Sequence, residues 1–221
     1  MGWFTTFTRS SIGKKFIMAL TGSLLMIFLI IHFIGNMMLY FGPKAFDTYV
    51  DTLETIKPLI RVIEVLLALI FIFHIYNGLK LWYENKKANP KKYAVNASRE
   101  NTDIYSRTMA ITGVTIFVFL IIHLSTFWAT FNFGAHPNTE YPYYTIVTHW
   151  FQNPFYSLIY IIGMIVLGYH LNHAFESAFQ TFGWNHKRYT PLIKKIGTIY
   201  ALILAIGFAS IPIYFFLMGG K

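Results

Sequence analysis

The chain contains no cysteine, which removes disulfides, iron–sulfur clusters, thiolate zinc sites and covalent c-type haem attachment from the chemistry open to it. Charge is scarce as well. Only 12% of the 221 residues are charged and 55% are hydrophobic, too little polar material to cover a water-facing surface, so the composition is that of an integral membrane protein. Acidic residues are the scarcer sign, nine against eighteen Lys and Arg. In a soluble chain the resulting +9 would raise nucleic acid as a partner. Here the cations lie between apolar segments and no nucleic-acid partner is expected. Histidine and methionine are the soft ligands that remain.

What is present in quantity is long apolar runs. From Phe16 to Gly42 no residue is charged, about 40 Å of helix at ~1.5 Å per residue, enough to cross a ~30 Å hydrocarbon core. Further spans are expected at 59–83, 108–131, 154–179 and 196–217, each bounded by polar, Pro or Gly residues. The first, counted from its basic edge, covers 15–42. The expected fold is therefore all-α, five transmembrane helices in one membrane domain covering 1–221. The first run is too long for a signal-peptide core and is expected to be retained. A myristoylation-like start (Gly2, Thr6) and the sequon Asn96-Ala97-Ser98 are not expected to be used. No low-complexity tract or internal repeat is expected beyond the alternation of helices.

Sidedness follows from the cations. All but four of the eighteen (Lys44, Lys57, Arg61 and Lys221) fall on one side: Arg9, Lys14 and Lys15 before span one, the stretch from Lys80 to Arg107, and Lys187 to Lys195. The N-terminus and these two loops are expected to face the cytoplasm.

Four spans each carry a histidine deep inside: His32, His74, His123 and His170, with His173 one turn past the last. An imidazole within hydrocarbon must hydrogen-bond or bind something. His32 lies 17 residues beyond Lys15 and His123 lies 16 beyond Arg107, roughly 24 to 26 Å along outward-running helices. His74 and His170 each lie 16 residues beyond a proline, Pro58 and Pro154, roughly 24 Å along inward-running ones. Two pairs at two depths is the arrangement that two bis-histidine b-type haems stacked across a membrane require, within a bundle of spans one to four. Spacing does not separate His170 from His173. Gly35, Gly78 and Gly168, near three of the four histidines, are positions where a flat macrocycle could approach, and Gly197, Ala201, Ala205 and Ala209 make a packing stripe on span five. His136, His149 and His186 read as solvated.

These residues resemble the cytochrome b558 subunit of succinate dehydrogenases and fumarate reductases, the single-chain, dihaem membrane anchor. The resemblance rests on Ser10-Ser11-Ile12-Gly13-Lys14-Lys15 leading to Ala19-Leu20-Thr21-Gly22, on His32-Phe33-Ile34-Gly35-Asn36, on single histidines in spans two and three, and on His170-Leu171-Asn172-His173 running into Ser177, Phe179 and Gly183. It implies axial ligands at His32 and His123 for an outer haem and at His74 and His170 for an inner one, choosing His170 over His173. It further implies a flavoprotein and an iron–sulfur subunit docked on the cytoplasmic face of a bacterial cytoplasmic (inner) membrane, with electrons passing to a membrane quinone, menaquinone by resemblance. In some members an acidic residue in the outer loop serves quinol oxidation. Glu54, 22 residues after His32, takes the comparable place and is the expected proton carrier, beside Asp47 and Asp51. A Glu that some fumarate-reducing members carry two residues before the fourth ligand is Gly168 here, against that proton path. Propionates of the inner haem are expected to find cations in the 80–107 and 184–195 loops. A dihaem cytochrome b serving another dehydrogenase or hydrogenase shares the histidine logic, and a haem-free transporter with histidine proton relays is the remaining alternative.

Overall fold

The computed structural model describes residues 2–88 and 104–219, and every regular element among them is helical. Lys91, Lys92, Arg99, Lys221 and the sequon at Asn96 lie outside the described residues, as does the side chain of Arg107. A short α1 (Trp3–Arg9) leads into α2 (Ser11–Met37), which is prolonged by a 3₁₀ turn, Met38–Phe41. Then come α3 (Pro43–Thr55), α4 (Lys57–Ala88) and α5 (Ile104–His123), the last continuing through a π turn, Leu124–Trp128, into α6 (Ala129–Phe133). Finally α7 (Pro142–Gln152), α8 (Pro154–Thr181) and α9 (Thr190–Met218) complete the chain.

Five of these helical stretches are long and apolar enough to cross a membrane: Ser11–Phe41, Lys57–Lys87, Thr108–Phe133, Pro154–Thr181 and Thr190–Met218. They are the five expected spans, with ends that differ by up to six residues from those expected. Local chemistry sets their ends. Ser10 caps α2 by accepting the Gly13 N–H at 3.0 Å, and Asn153 caps α8 by accepting from Phe155 and Tyr156. Pro43, Pro142 and Pro154 stand at helix starts, where no amide is needed. Gly42, at φ 94°, turns the chain from span one into α3, a conformation only glycine adopts freely.

The segments between spans one and two and between three and four are not simply loops. They contain the helices α3 and α7, the second preceded by an irregular stretch over 134–141, and the two helices pack on each other at the end of the bundle remote from α1, the far end. Asp47 of α3, 4% exposed, accepts the Tyr143 and Tyr144 N–H groups at 3.1 and 2.8 Å and so caps α7. Burial pushes the Asp47 carboxyl above its ordinary pKa, opposed by those two N–H donors and assisted by Asp51.

Two apolar clusters hold the bundle. At the far end Leu39, Phe46, Phe151, Tyr160, Ile211 and Phe215 pack together. At the near end Ala19, Met26, Leu171, Ala201 and Leu204 join spans one, four and five. Span five therefore leans on one and four. Its small residues permit close approach: a Cβ on Gly168 would sit 2.9 Å from that of Ala205, and one on Gly197 would meet Phe175 at 2.9 Å. Span two is held differently, since none of its apolar window is buried within the chain, against 33% for spans four and five.

Candidate functional site

The four span histidines meet in two pairs. His32 and His123 face each other at the far end with ring centres 5.8 Å apart, and His74 and His170 at the near end with 6.5 Å. An imidazole nitrogen binds a transition metal at roughly 2 Å, so two imidazoles on opposite sides of one ion have ring centres about 6 Å apart. Both separations are of that size. Among the described residues no group of three or more His, Asp or Glu could chelate a metal. Two imidazoles leave four positions of a six-coordinate iron for a planar tetradentate ring, so the donor set fits a haem b at each pair.

At the near pair the fit extends beyond the ligands. A cavity of about 610 Å³ has His74 and His170 in its wall. Met18, Ala19, Gly22 and Met109 line it, and Lys15, His173 and Ser177 bring polar groups to the same wall, which among the described residues contains no acidic side chain. Lys15 belongs to the start of α2; of the 80–107 loop, whose cations are expected near this cavity together with those of 184–195, residues 89–103 lie outside the described ones. Lys14, next to Lys15, is committed elsewhere, paired with Glu84 of span two at 2.6 Å.

Each pair has its own surroundings. Phe28 stacks on His32 and Phe119 on His123, with centroids 5.3 and 5.9 Å apart. The Tyr160 hydroxyl meets Nδ1 of His123 at 3.1 Å and accepts from Tyr156. At the near pair, Nδ1 of His74 meets the Thr21 hydroxyl at 3.1 Å and Nδ1 of His170 meets that of Thr112 at 3.2 Å.

The glycines expected to face a macrocycle do other work. Gly35 lies against the Tyr49 ring, Gly78 against Met18 and Gly168 against Ala205. Depth along a helix is legible from counting, but the direction of a side chain turns 100° per residue, and the count alone did not resolve it. The glycines beside the imidazoles are Gly22, whose Cβ would meet His74 at 3.3 Å, and Gly113, whose Cβ would meet His170 at 3.6 Å.

A signal that sequence reasoning missed would have found them. Thr21-Gly22-Ser23-Leu24-Leu25-Met26-Ile27-Phe28-Leu29-Ile30-Ile31-His32 and Thr112-Gly113-Val114-Thr115-Ile116-Phe117-Val118-Phe119-Leu120-Ile121-Ile122-His123 agree at Thr, Gly, Phe, Leu, both Ile and His. The expectation of no internal repeat is corrected by this pair. In both copies the Thr meets a near-pair imidazole on the next span, and the Phe stacks on the copy's own far-pair imidazole.

Glu54 is the next-to-last residue of α3 and pairs with Lys57 at the start of α4, partly exposed. Of the expected acidic cluster only Asp47 turns fully inward. The Tyr143 hydroxyl of α7 has its pKa raised, first by burial and then by Glu54, Asp51 and Asp47. His136 and Tyr143 make an edge contact at 5.0 Å, and His149 lies on α7 beside Trp150.

No match was found among curated proteins or among solved structures. A family model described as succinate dehydrogenase/fumarate reductase transmembrane subunit matches residues 83–210, more than half of the chain, reaching from the end of span two to late in span five and including His123 and His170. With five membrane-crossing helices and imidazoles paired between them, the chain belongs to the family of succinate dehydrogenase/fumarate reductase transmembrane subunits.

Proposed function

We propose that this chain is the dihaem cytochrome b anchor of a succinate:quinone oxidoreductase, moving electrons between an iron–sulfur subunit and membrane quinone. The reading is carried by one observation, two facing imidazole pairs at two depths. Haem b held between two imidazoles supplies a one-electron carrier whose iron stays six-coordinate. In this reading His32 and His123 hold the outer group and His74 and His170 the inner one. Lys15, with His173 and Ser177 in the wall of the same cavity, would supply a cation and donors to the carboxylates of the inner group, because a buried carboxylate is costly unless paired.

The near end is the cytoplasmic one by its cations, and there the flavoprotein and iron–sulfur subunits dock. Menaquinone is the quinone the resemblance implies. Its redox reaction takes up or releases two protons, which calls for a titratable group near the outer pair. Glu54, at the junction of α3 and α4 and facing the same tyrosine as Asp51, is that proton carrier.

Visible spectra of the purified, reduced chain test the reading. Two b-type haems per chain are expected. His32→Ala or His123→Ala should remove the outer one or leave it high-spin, and His74→Ala or His170→Ala the inner one. Haem content lost with His173→Ala and kept with His170→Ala would overturn the ligand set, and an absence of b-type bands would overturn the function.

A further inference from the structure

The inner pair is held by more than its two helices. Thr21 donates its hydroxyl hydrogen to a backbone carbonyl of its own helix, Ile17 at 2.8 Å or Met18 at 3.2 Å. Thr112 donates in the same way to Thr108 or Met109, both at 3.1 Å. A hydroxyl has one hydrogen and two lone pairs. With the hydrogen used on the carbonyl, the oxygen facing Nδ1 can only accept, so Nδ1 of His74 and of His170 carries the proton. In a neutral imidazole that leaves the lone pair on Nε2, the nitrogen free to take a metal. The glycine after each threonine lies beside the ring: a Cβ on Gly22 would crowd the His74 edge at 3.3 Å, and one on Gly113 would come into ordinary contact with His170 at 3.6 Å.

Because the same two-residue unit recurs at the same distance before His32 and before His123, each inner imidazole is oriented by the helix that supplies an outer one. We propose that Thr21 and Thr112 are positioning residues for the inner haem, each fixing its histidine's tautomer and ring direction and increasing the electron donation of Nε2 to the iron. The proposal rests on the dihaem reading and assigns these two hydroxyls a role in it. Accepting a hydrogen bond from Nδ1–H makes the ring a more basic ligand, which favours the oxidised iron. Removing the acceptor should therefore raise the potential of the inner haem and loosen its hold.

The test uses the full chain with its partner subunits, carrying Thr21→Val, Thr112→Val or the corresponding Thr→Ser. Valine keeps the shape and removes the hydroxyl, whereas serine keeps the hydroxyl. Redox titration of the b-type bands should show the inner potential raised in each valine variant and restored in the serine variants, with the outer one unmoved throughout. Release of the inner haem to an excess of a haem-acceptor protein should quicken about tenfold, the lower range for loss of such a ligand support. Equal shifts at both haems, no shift at the inner one, or a serine variant no better than valine would overturn the proposal. A wild-type chain without two b-type haems by pyridine haemochrome assay would instead overturn the dihaem reading itself, so the two failures are distinguishable.

Discussion

Two carboxylates of α3, seven residues apart, show how differently the same functional group can be spent. Asp47 is buried on two amide donors and serves the fold. Asp47→Ala should leave both N–H groups without that acceptor and cost about 1 to 3 kcal/mol, seen as a lower unfolding temperature in detergent. Its raised pKa carries a sign as well. Between the ordinary carboxylate pKa and the raised one, the folded chain keeps a proton that the unfolded chain releases, so this residue's contribution is greatest below that window and declines as pH rises through it. Glu54 is partly exposed and paired with Lys57, and its expected role is in the chemistry and not in the fold. Glu54→Gln should leave haem spectra and stability unchanged and slow quinone-linked turnover, and unchanged turnover would remove it from the mechanism.

Among the elements, the π turn at Leu124–Trp128 sits directly after His123. One extra residue per turn shifts everything beyond it by about 100° around the axis. That offset brings Trp128 and Asn132 to face span two, where the Trp128 indole donates to Glu64 at 3.0 Å, Glu64 pairs with Arg61 at 2.5 Å, and Arg61 donates to Asn132. Deleting Ser125 should remove the extra residue together with the π turn and leave these partners in place, whereas inserting an alanine after Ser125 should carry them about 100° round the helix and apart. Expected of the insertion are a loss of roughly 2 kcal/mol, the scale of one charged group deprived of its donors, and an altered outer-haem potential beside an unaltered inner one. The turn was not legible in the sequence, because nothing in Leu124-Ser125-Thr126-Phe127-Trp128 departs from an ordinary apolar helix. The helices α3 and α7 were hidden for another reason, being short and half polar, and so indistinguishable from loops beside 25-residue apolar runs. The spans and the histidine depths were legible, since a hydrocarbon core imposes both length and a count of residues from the basic edge.

At the scale of the whole molecule, the lack of cysteine turns sidedness into a direct measurement. With the chain's N-terminus in the cytoplasm, Asn185→Cys, at an exposed position after Gly183, should react with an impermeant thiol reagent only in inside-out vesicles. Asn138→Cys, exposed before α7, should react only in intact cells. The reverse pattern would invert the topology and with it the docking face. A different consequence follows from the pairing itself. His32 finds its partner 91 residues later in the chain and His74 finds its own 96 residues later. At synthesis rates of about 5 to 20 residues per second, each early histidine spends roughly 5 to 20 s in the membrane alone. On the dihaem reading, loading with metal-bearing rings would have a built-in schedule: the outer berth could close once span three has entered, the inner one only after span four, and a ribosome stalled between the two would leave a chain able to carry one group and not the other.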